Sequence, residues 1–364
     1  MDNNSNLLLL VNLLANRNEI KKKVINFYTG FWRRNRMSNP KITVIIPFCN
    51  RIGWTIESVN SVLNQTFQDF ELLLVDDGTS DDISPLLAIK DPRIRIIHQK
   101  NQGPAAARNN GMKHATGDYI VFLDSDDKFH PNKLATQLDL HEKNPNCWFS
   151  HTSYQYFNPR GGMLEVIHSG KFSGHQYPKI LSDCPIACST VMLKRAVIDK
   201  RILFEENYRI SEDIIFFSKI AQCSEIIGID IPYTLFRLTE STHAYSARAQ
   251  IIGSQNILRY IHNKNPISSP KEKRIVLSEI YSYISQNYFI LKKPIPAIFY
   301  FLLFIVFSSN KRERINNIFQ RLCDRHFFPL VYKFRPPLIQ RTKSFILRNA
   351  IRIKNAIKRR LSGT

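Results

Sequence analysis

At 364 residues with 43% hydrophobic content, the chain is long enough for one large or two modest domains with a real core. The net charge of +21 is segregated: residues 1–41 carry eight Lys and Arg against Asp2 and Glu19, and residues 309–364 carry fifteen against Glu313 and Asp324. That leaves 28 basic and 26 acidic residues in the middle, which argues against an evenly basic binding protein and for a near-neutral globular domain with cationic attachments.

The six cysteines show no paired metal spacing and fit free thiols in a reducing cytoplasm. The apolar run at 7–14 follows Asp2 rather than a positive segment, which argues against a secretory leader.

In chain order, residues 42–46 are a β-branched apolar run stopped by Pro47 and predict a buried parallel strand. Ile56, Val59 and Leu63 mark one face of a helix over 54–63. A second strand over 70–75 runs into Asp76-Asp77-Gly78, and a third covers 94–97. Pro104 opens a helix to His114, because proline suits a first helical turn. A strand over 119–123, a helix over 131–142 and a strand over 147–151 follow. This alternation predicts βαβ units in an α/β fold with a mostly parallel, doubly wound sheet.

Beyond residue 152 the pattern is irregular. Gly161-Gly162 centres a hairpin over 154–167, strands are expected at 190–193 and 226–231, and a helix at 213–221. Residues 245–291 read as continuous amphipathic helix. The thirteen apolar residues 295–307 fall short of the ~20 needed to span a bilayer and read as a core or interfacial helix. Ile346, Ala350, Ile353, Ile357 and Leu361, interleaved with Arg348, Arg352, Lys354, Lys358, Arg359 and Arg360, form a basic amphipathic pattern suited to an anionic membrane surface. Ile20, Val24, Phe27 and Phe31 make a weaker version at the other end.

Four segments carry the chemistry, each expected at the C-terminal edge of the sheet, where open α/β sheets bind ligands. They are Pro47-Phe48-Cys49-Asn50-Arg51, Asp76-Asp77-Gly78-Thr79-Ser80-Asp81, the 101–111 stretch carrying Arg108, and Asp124-Ser125-Asp126-Asp127. Three carboxylates within four positions repel one another, and a divalent cation is the usual relief. Singly, each has an ordinary explanation: Asp-Asp-Gly is commonly a turn, Asp126-Asp127 a helix cap, Arg108 a surface side chain. Their serial placement at strand ends favours a shared site.

Taken in order, these segments resemble the GT-A glycosyltransferases of family 2, the inverting type of bacterial polysaccharide synthesis, over about residues 40–245. The resemblance implies a nucleotide-binding half at 41–151 and an acceptor half at 152–245, with extensions at 1–40, 246–308 and 309–364. Thr79-Ser80 reverses the family's usual order. The donor side would use Pro47 and Phe48 against a uracil ring, with Asn50 beside them and Asp77 accepting the imide hydrogen bond. Arg108 would contact base or phosphates, Asp124 with Ser125 the ribose or sugar, and Arg237 the diphosphate. Mn²⁺ or Mg²⁺ would sit on Asp126 and Asp124, with His243 completing the shell.

In Ser211-Glu212-Asp213 the resemblance makes Asp213 the general base and Glu212 its neighbour. Two acids in a first helical turn also suit the macrodipole, and both readings hold together.

The expected activity is transfer from a UDP-sugar to a glycan or lipid-linked acceptor in O-antigen, capsule or lipopolysaccharide assembly. The expected location is peripheral, on the cytoplasmic face of the membrane, with no nucleic-acid partner. A dehydrogenase is disfavoured because no G-x-G-x-x-G opens the first helix, and a nucleotidyltransferase because no glycine-rich basic loop follows strand one. A non-catalytic cationic protein binding membrane or nucleic acid is the competing class, but it gives the acid clusters no task.

Overall fold

A computed structural model describes residues 39–239 and 246–308. The two basic amphipathic patterns, Cys323 and His243 lie outside the described residues.

Among the described residues nine strands form one mixed sheet in the order β3-β2-β1-β4-β8-β6-β9-β5, with β7 on β6. The first four are β1 (Ile42–Phe48), β2 (Phe70–Asp77), β3 (Ile94–Gln99) and β4 (Tyr119–Phe122), and all pair in parallel. Every residue of β1, β2 and β4 is buried, which is why these stretches read as largely apolar runs, although Thr43, Glu71, Asp76 and Asp77 are buried with them. The winding reverses between β1 and β4, so the loops leaving those two strands flank the switch-point crevice.

Pro47 does not stop β1, which runs on to Phe48. The Ile45 carbonyl accepts from Leu123 N on the β4 side, so Pro47, two residues on, turns its missing N–H to that same side. There β4 has already ended, its last partner being Ile45 opposite Phe122. No ladder bond is lost.

The remaining strands are β5 (Lys128–Phe129), β6 (Phe149–Phe157), β7 (Met163–Ile167), β8 (Met192–Lys194) and β9 (Ile226–Arg237). Here β8 is antiparallel to both β4 and β6, β5 is antiparallel to β9, and β6 and β7 form the hairpin expected around Gly161-Gly162. The parallel β6–β9 pairing extends six residues beyond the strand expected at 226–231, because Pro232 sits at a register shift opposite Ser153 instead of ending the strand. The two-residue β5 has no sequence signature of its own and exists by pairing with Thr234 and Leu235.

Helices cover both faces. On one side α1 (Ile52–Leu63) buries Ile52, Val59 and Val62 against β1 and β2. A single turn, α2 (Ser84–Leu87), adds Leu86 to that core, and α4 (Lys133–Lys143) adds Leu134 and Leu138. On the other side lies α3 (Pro104–His114), whose buried face is Ala105, Ala106, Ala107, Gly111 and Met112. A Cβ at Gly111 would fall 2.5 Å from Ile45 Cγ2, so the small residues bring this helix close to β1. After the short α5 (Ala196–Asp199), α6 (Glu212–Ala221) packs Phe216, Phe217 and Ile220 into the same core. Phe204 stacks on Phe216 at 3.8 Å between ring centroids, and burying a side chain of this size contributes about 1.5–3 kcal/mol.

The expected helix over 245–291 is two, α7 (Ala247–Lys264) and α8 (Pro270–Ile290). Asn265 adopts a left-handed cap, and Pro266 and Pro270 rule out continuation. Ile251, Ile257, Ile261, Ile280 and Ile284 join these helices to Ile215 of α6. Last comes α9 (Pro294–Phe307), and among the described residues no helix is long and apolar enough to cross a membrane.

Candidate active site

The loops after β1 and β2 lock together. Asn50 and Arg51 both take the left-handed conformation, at φ 61 and 55. The Asn50 side-chain oxygen accepts from Thr79 Oγ1 at 2.8 Å and Ser80 N at 2.9 Å, while Asp81 accepts from Arg51 N at 2.8 Å. Pro47 and Phe48 belong to the strand interior, and Phe48 is only 2% exposed within the core on the α1 side. The Asp77 carboxylate accepts from Gln99 Nε2, Gln102 N and Gly103 N at 2.8–2.9 Å, and so holds the loop that feeds α3. Gly103, at φ 93, supplies the backbone that such a close carboxylate grip requires.

The acids after β4 divide into two kinds. Asp127 is fully enclosed: its carboxylate accepts from Ser189 Oγ at 2.6 Å and from Arg237 N at 2.9 Å. Burial, together with Asp126 and Asp124 nearby, pushes its carboxyl well above the usual range. Ser189 accepts in turn from Asp124 N at 3.0 Å, so one hydroxyl ties both ends of the acid turn. Ser58 Oγ donates to the Ser125 and Asp127 carbonyls. Arg237 donates from Nε to the Asp126 carbonyl at 2.8 Å and from Nη2 to Glu57 at 2.9 Å, and its guanidinium stacks near Trp54 and Phe157. Its side chain is 1% exposed. The structure thus uses Arg237 to shape the turn from below.

Asp126 is different. Its carboxylate makes no hydrogen bond to a described side chain and faces Arg51 at 3.7 Å, with Arg51 half exposed over Trp54. Burial and the neighbouring Asp124 charge raise its carboxyl above the ordinary value. Asp124 offers Oδ1 to Arg108 Nη2 at 2.7 Å.

From the other half, α6 begins at Ser211, left-handed at φ 62, and places Glu212 and Asp213 in its first turn. Glu212 Oε1 accepts from Arg108 Nη1 at 3.0 Å. Arg108 is therefore enclosed between carboxylates from β4 and α6, with the Phe204 ring 5.5 Å from its guanidinium carbon. Burial and then Asp213 push the Glu212 carboxyl up to about 7. Asp213 is half buried, accepts from Ile214 N at 2.8 Å, and has its carboxyl raised by burial against the opposing pull of Arg108.

Five of the expected residues therefore come together, Asp124, Asp126, Arg108, Glu212 and Asp213, while Asp77 and Asn50 sit in the loops that border them and Arg237 lies beneath the acid turn. A groove of about 580 Å³ on another side of α3, lined by Gln102, Asn109, Asn110, Lys113, Arg201 and Glu206, contains none of these acids.

Asp126, exposed to its neighbour's repulsion and without a hydrogen bond to a described side chain, and Asp124 beside it are hard oxygen donors that fit a divalent cation. Among the described residues no group of three acid, His or Cys side chains is placed to hold a metal alone. A Mg²⁺-type ion commonly takes one or two protein carboxylates and completes its shell with substrate phosphates, so two acids suffice. Sequence reasoning passed over Arg51, Trp54 and Ser189. Arg51 lay inside a motif already singled out, whereas Ser189 contacts acids more than sixty residues away and leaves no local signal.

An acid turn at the switch point of an open α/β sheet, tied through Arg108 to a helix-borne acid pair, is an arrangement that suits binding of a phosphorylated ligand. The family description "Glycosyl transferase family 2" matches residues 43–202. The chain is 32% identical over 210 residues to an Escherichia coli protein, UDP-Glc:alpha-D-GlcNAc-diphosphoundecaprenol beta-1,3-glucosyltransferase WfgD, covering 57% of this chain and 80% of that one. It is 45% identical over 249 residues to an uncharacterized glycosyltransferase of Rickettsia felis, covering 67% of this chain. The chain spans about two fifths of that relative's length. Among solved structures, the mannosyltransferase PcManGT from Pyrobaculum calidifontis, in complex with GDP-Man and Mn²⁺, superposes with a TM-score of 0.54 at 17% identity over 88% of each chain, a likeness of fold. The chain belongs to glycosyltransferase family 2, and its mixed α/β sheet is the expected GT-A fold.

Proposed function

We propose that the chain is an inverting hexosyltransferase that moves a sugar from a nucleotide diphosphate sugar, a UDP-sugar, to a hydroxyl of a lipid-linked glycan in bacterial surface polysaccharide synthesis. The observation that carries this reading is the Arg108 bridge, 2.7 Å to Asp124 and 3.0 Å to Glu212, which ties the acid turn to the turn that bears Glu212 and Asp213. The E. coli relative's name, with a UDP-Glc donor and a diphosphoundecaprenol acceptor, supports the substrate classes.

In this reading Asp126 and Asp124 hold Mn²⁺ or Mg²⁺, with His243 as a further ligand. When bound, the cation neutralises charge building on the leaving diphosphate. Asp213 takes the proton of the acceptor hydroxyl as its oxygen attacks the anomeric carbon from the face opposite the leaving nucleoside diphosphate, and the configuration inverts. Its raised pKa makes it a stronger base than an exposed aspartate. Glu212, fixed by Arg108, orients that first turn, and Arg51 opposite Asp126 provides positive charge at the phosphate end. The chain works at the cytoplasmic membrane face, with residues 1–40 and 309–364 as cationic attachments to anionic lipid.

The test is radiolabelled transfer from a panel of UDP-sugars to GlcNAc-diphosphate-polyprenol, with and without Mn²⁺. One donor should give a metal-dependent, lipid-extractable product of inverted anomeric configuration. Donor binding without any product across the panel, or a product that retains configuration, contradicts the proposal.

A further inference from the structure

The helix α9 has two apolar faces, and among the described residues only one of them is packed. Ala297, Tyr300, Phe304 and Phe307 turn inward: Ala297 and Phe304 are buried, Tyr300 stacks on Tyr288 at 5.7 Å, and Phe307 meets Tyr281 at 5.4 Å. Ile295, Ile298, Phe299, Leu302 and Val306 are 42–81% exposed. Each lies three or four residues from another member of the set, which makes one continuous outward stripe, about 16 Å long at the helical rise. That is far below the ~30 Å of a hydrocarbon core, so such a helix lies along an interface and does not cross it.

We infer that the outward face of α9 inserts into the headgroup–acyl boundary of an anionic lipid bilayer and docks the enzyme beside its acceptor. This rests on the membrane-proximal part of the proposed function and names the surface that carries it. Two observations select lipid over a protein occupant. The stripe contains no polar side chain, whereas protein interfaces carry about one hydrogen bond per 100–200 Å². The charges flanking it are cationic at both ends: Lys292 and Lys293 are exposed just before the helix, and Arg274 of α8 donates at 2.9 Å to the Val306 and Phe307 carbonyls at its end. No Asp or Glu occurs from Pro294 to Phe307, and fifteen Lys and Arg follow in residues 309–364. Apolar insertion ringed by cations is the chemistry of an anionic membrane surface.

The test uses the full chain in flotation with phosphatidylcholine vesicles, with and without phosphatidylglycerol. Replacing Ile298, Phe299 and Leu302 together by Gln should lower partitioning onto phosphatidylglycerol vesicles at least tenfold, with melting temperature and donor binding unchanged. In a separate variant, Phe299→Trp should add vesicle-dependent emission that brominated lipids quench. Unchanged partitioning of the triple variant, or absent quenching, overturns the inference. A dimer in light scattering that the triple variant abolishes assigns the face to a second copy. If the indole emission of the Phe299→Trp variant is already shielded from water without lipid, and removing residues 309–364 unshields it, the face belongs to those residues. Either result overturns the inference as well. Transfer to a detergent-soluble acceptor reports the enzymatic reading separately, because vesicles take no part in it.

Discussion

Arg108 Nη1 lies 3.0 Å from Glu212 Oε1, a buried contact between residues 104 apart in sequence. It joins the helix behind the nucleotide half to the helix that presents Asp213. A buried guanidinium between two carboxylates is held by mutual neutralisation, and removing it leaves charges uncompensated. Arg108→Met should lower unfolding stability by about 3–5 kcal/mol, and pairing it with Glu212→Gln should restore part of that loss. A loss in the double variant equal to the sum of the Arg108→Met and Glu212→Gln losses in urea titration would show that the bridge carries no coupling.

The raised Glu212 carboxyl makes a prediction about pH. Its folded value of about 7 lies above its ordinary 4.5, so the folded state binds the proton more tightly than the unfolded chain. The contribution is fully present below pH 4.5, declines between there and 7, and is absent above. The loss amounts to ~3 kcal/mol. Glu212→Gln should flatten stability across that window relative to the parent. An unchanged slope in thermal melts at successive pH values contradicts this.

Asp126 and Asp127 are adjacent acids with opposite expected behaviour. Asp127→Ala strands Ser189 Oγ and Arg237 N, and should cost about 1–3 kcal/mol whatever the metal content. Asp126→Asn removes a repelling charge and keeps an acceptor oxygen, and should leave the melting temperature level or higher while abolishing the Mn²⁺-dependent shift given by UDP-sugar. Thermal-shift assays on both variants decide it. A persisting metal-dependent shift in Asp126→Asn would remove that residue from the cation site.

This pair also shows where sequence legibility ends. The all-buried strands β1, β2 and β4, and the helix from Pro104 to His114, were readable because burial on both faces and proline's place in a first turn are local constraints. Which of two neighbouring aspartates turns inward is not local. It depends on Arg237 returning along β9, a strand that Pro232 disguises because its irregular backbone falls at a register shift. The roles of Ser189 and of Arg108 as a bridge are likewise set by tertiary approach alone. Arg108 could be singled out from its motif, but its partners could not.

The most direct test of the account is Asp213→Asn, isosteric and unable to accept a proton at the acceptor hydroxyl. Sugar transfer should fall by about 10²–10⁴-fold, with UDP-sugar affinity and melting temperature near the parent's. Parental turnover by this variant would contradict the assignment of the base on which the proposed reaction depends.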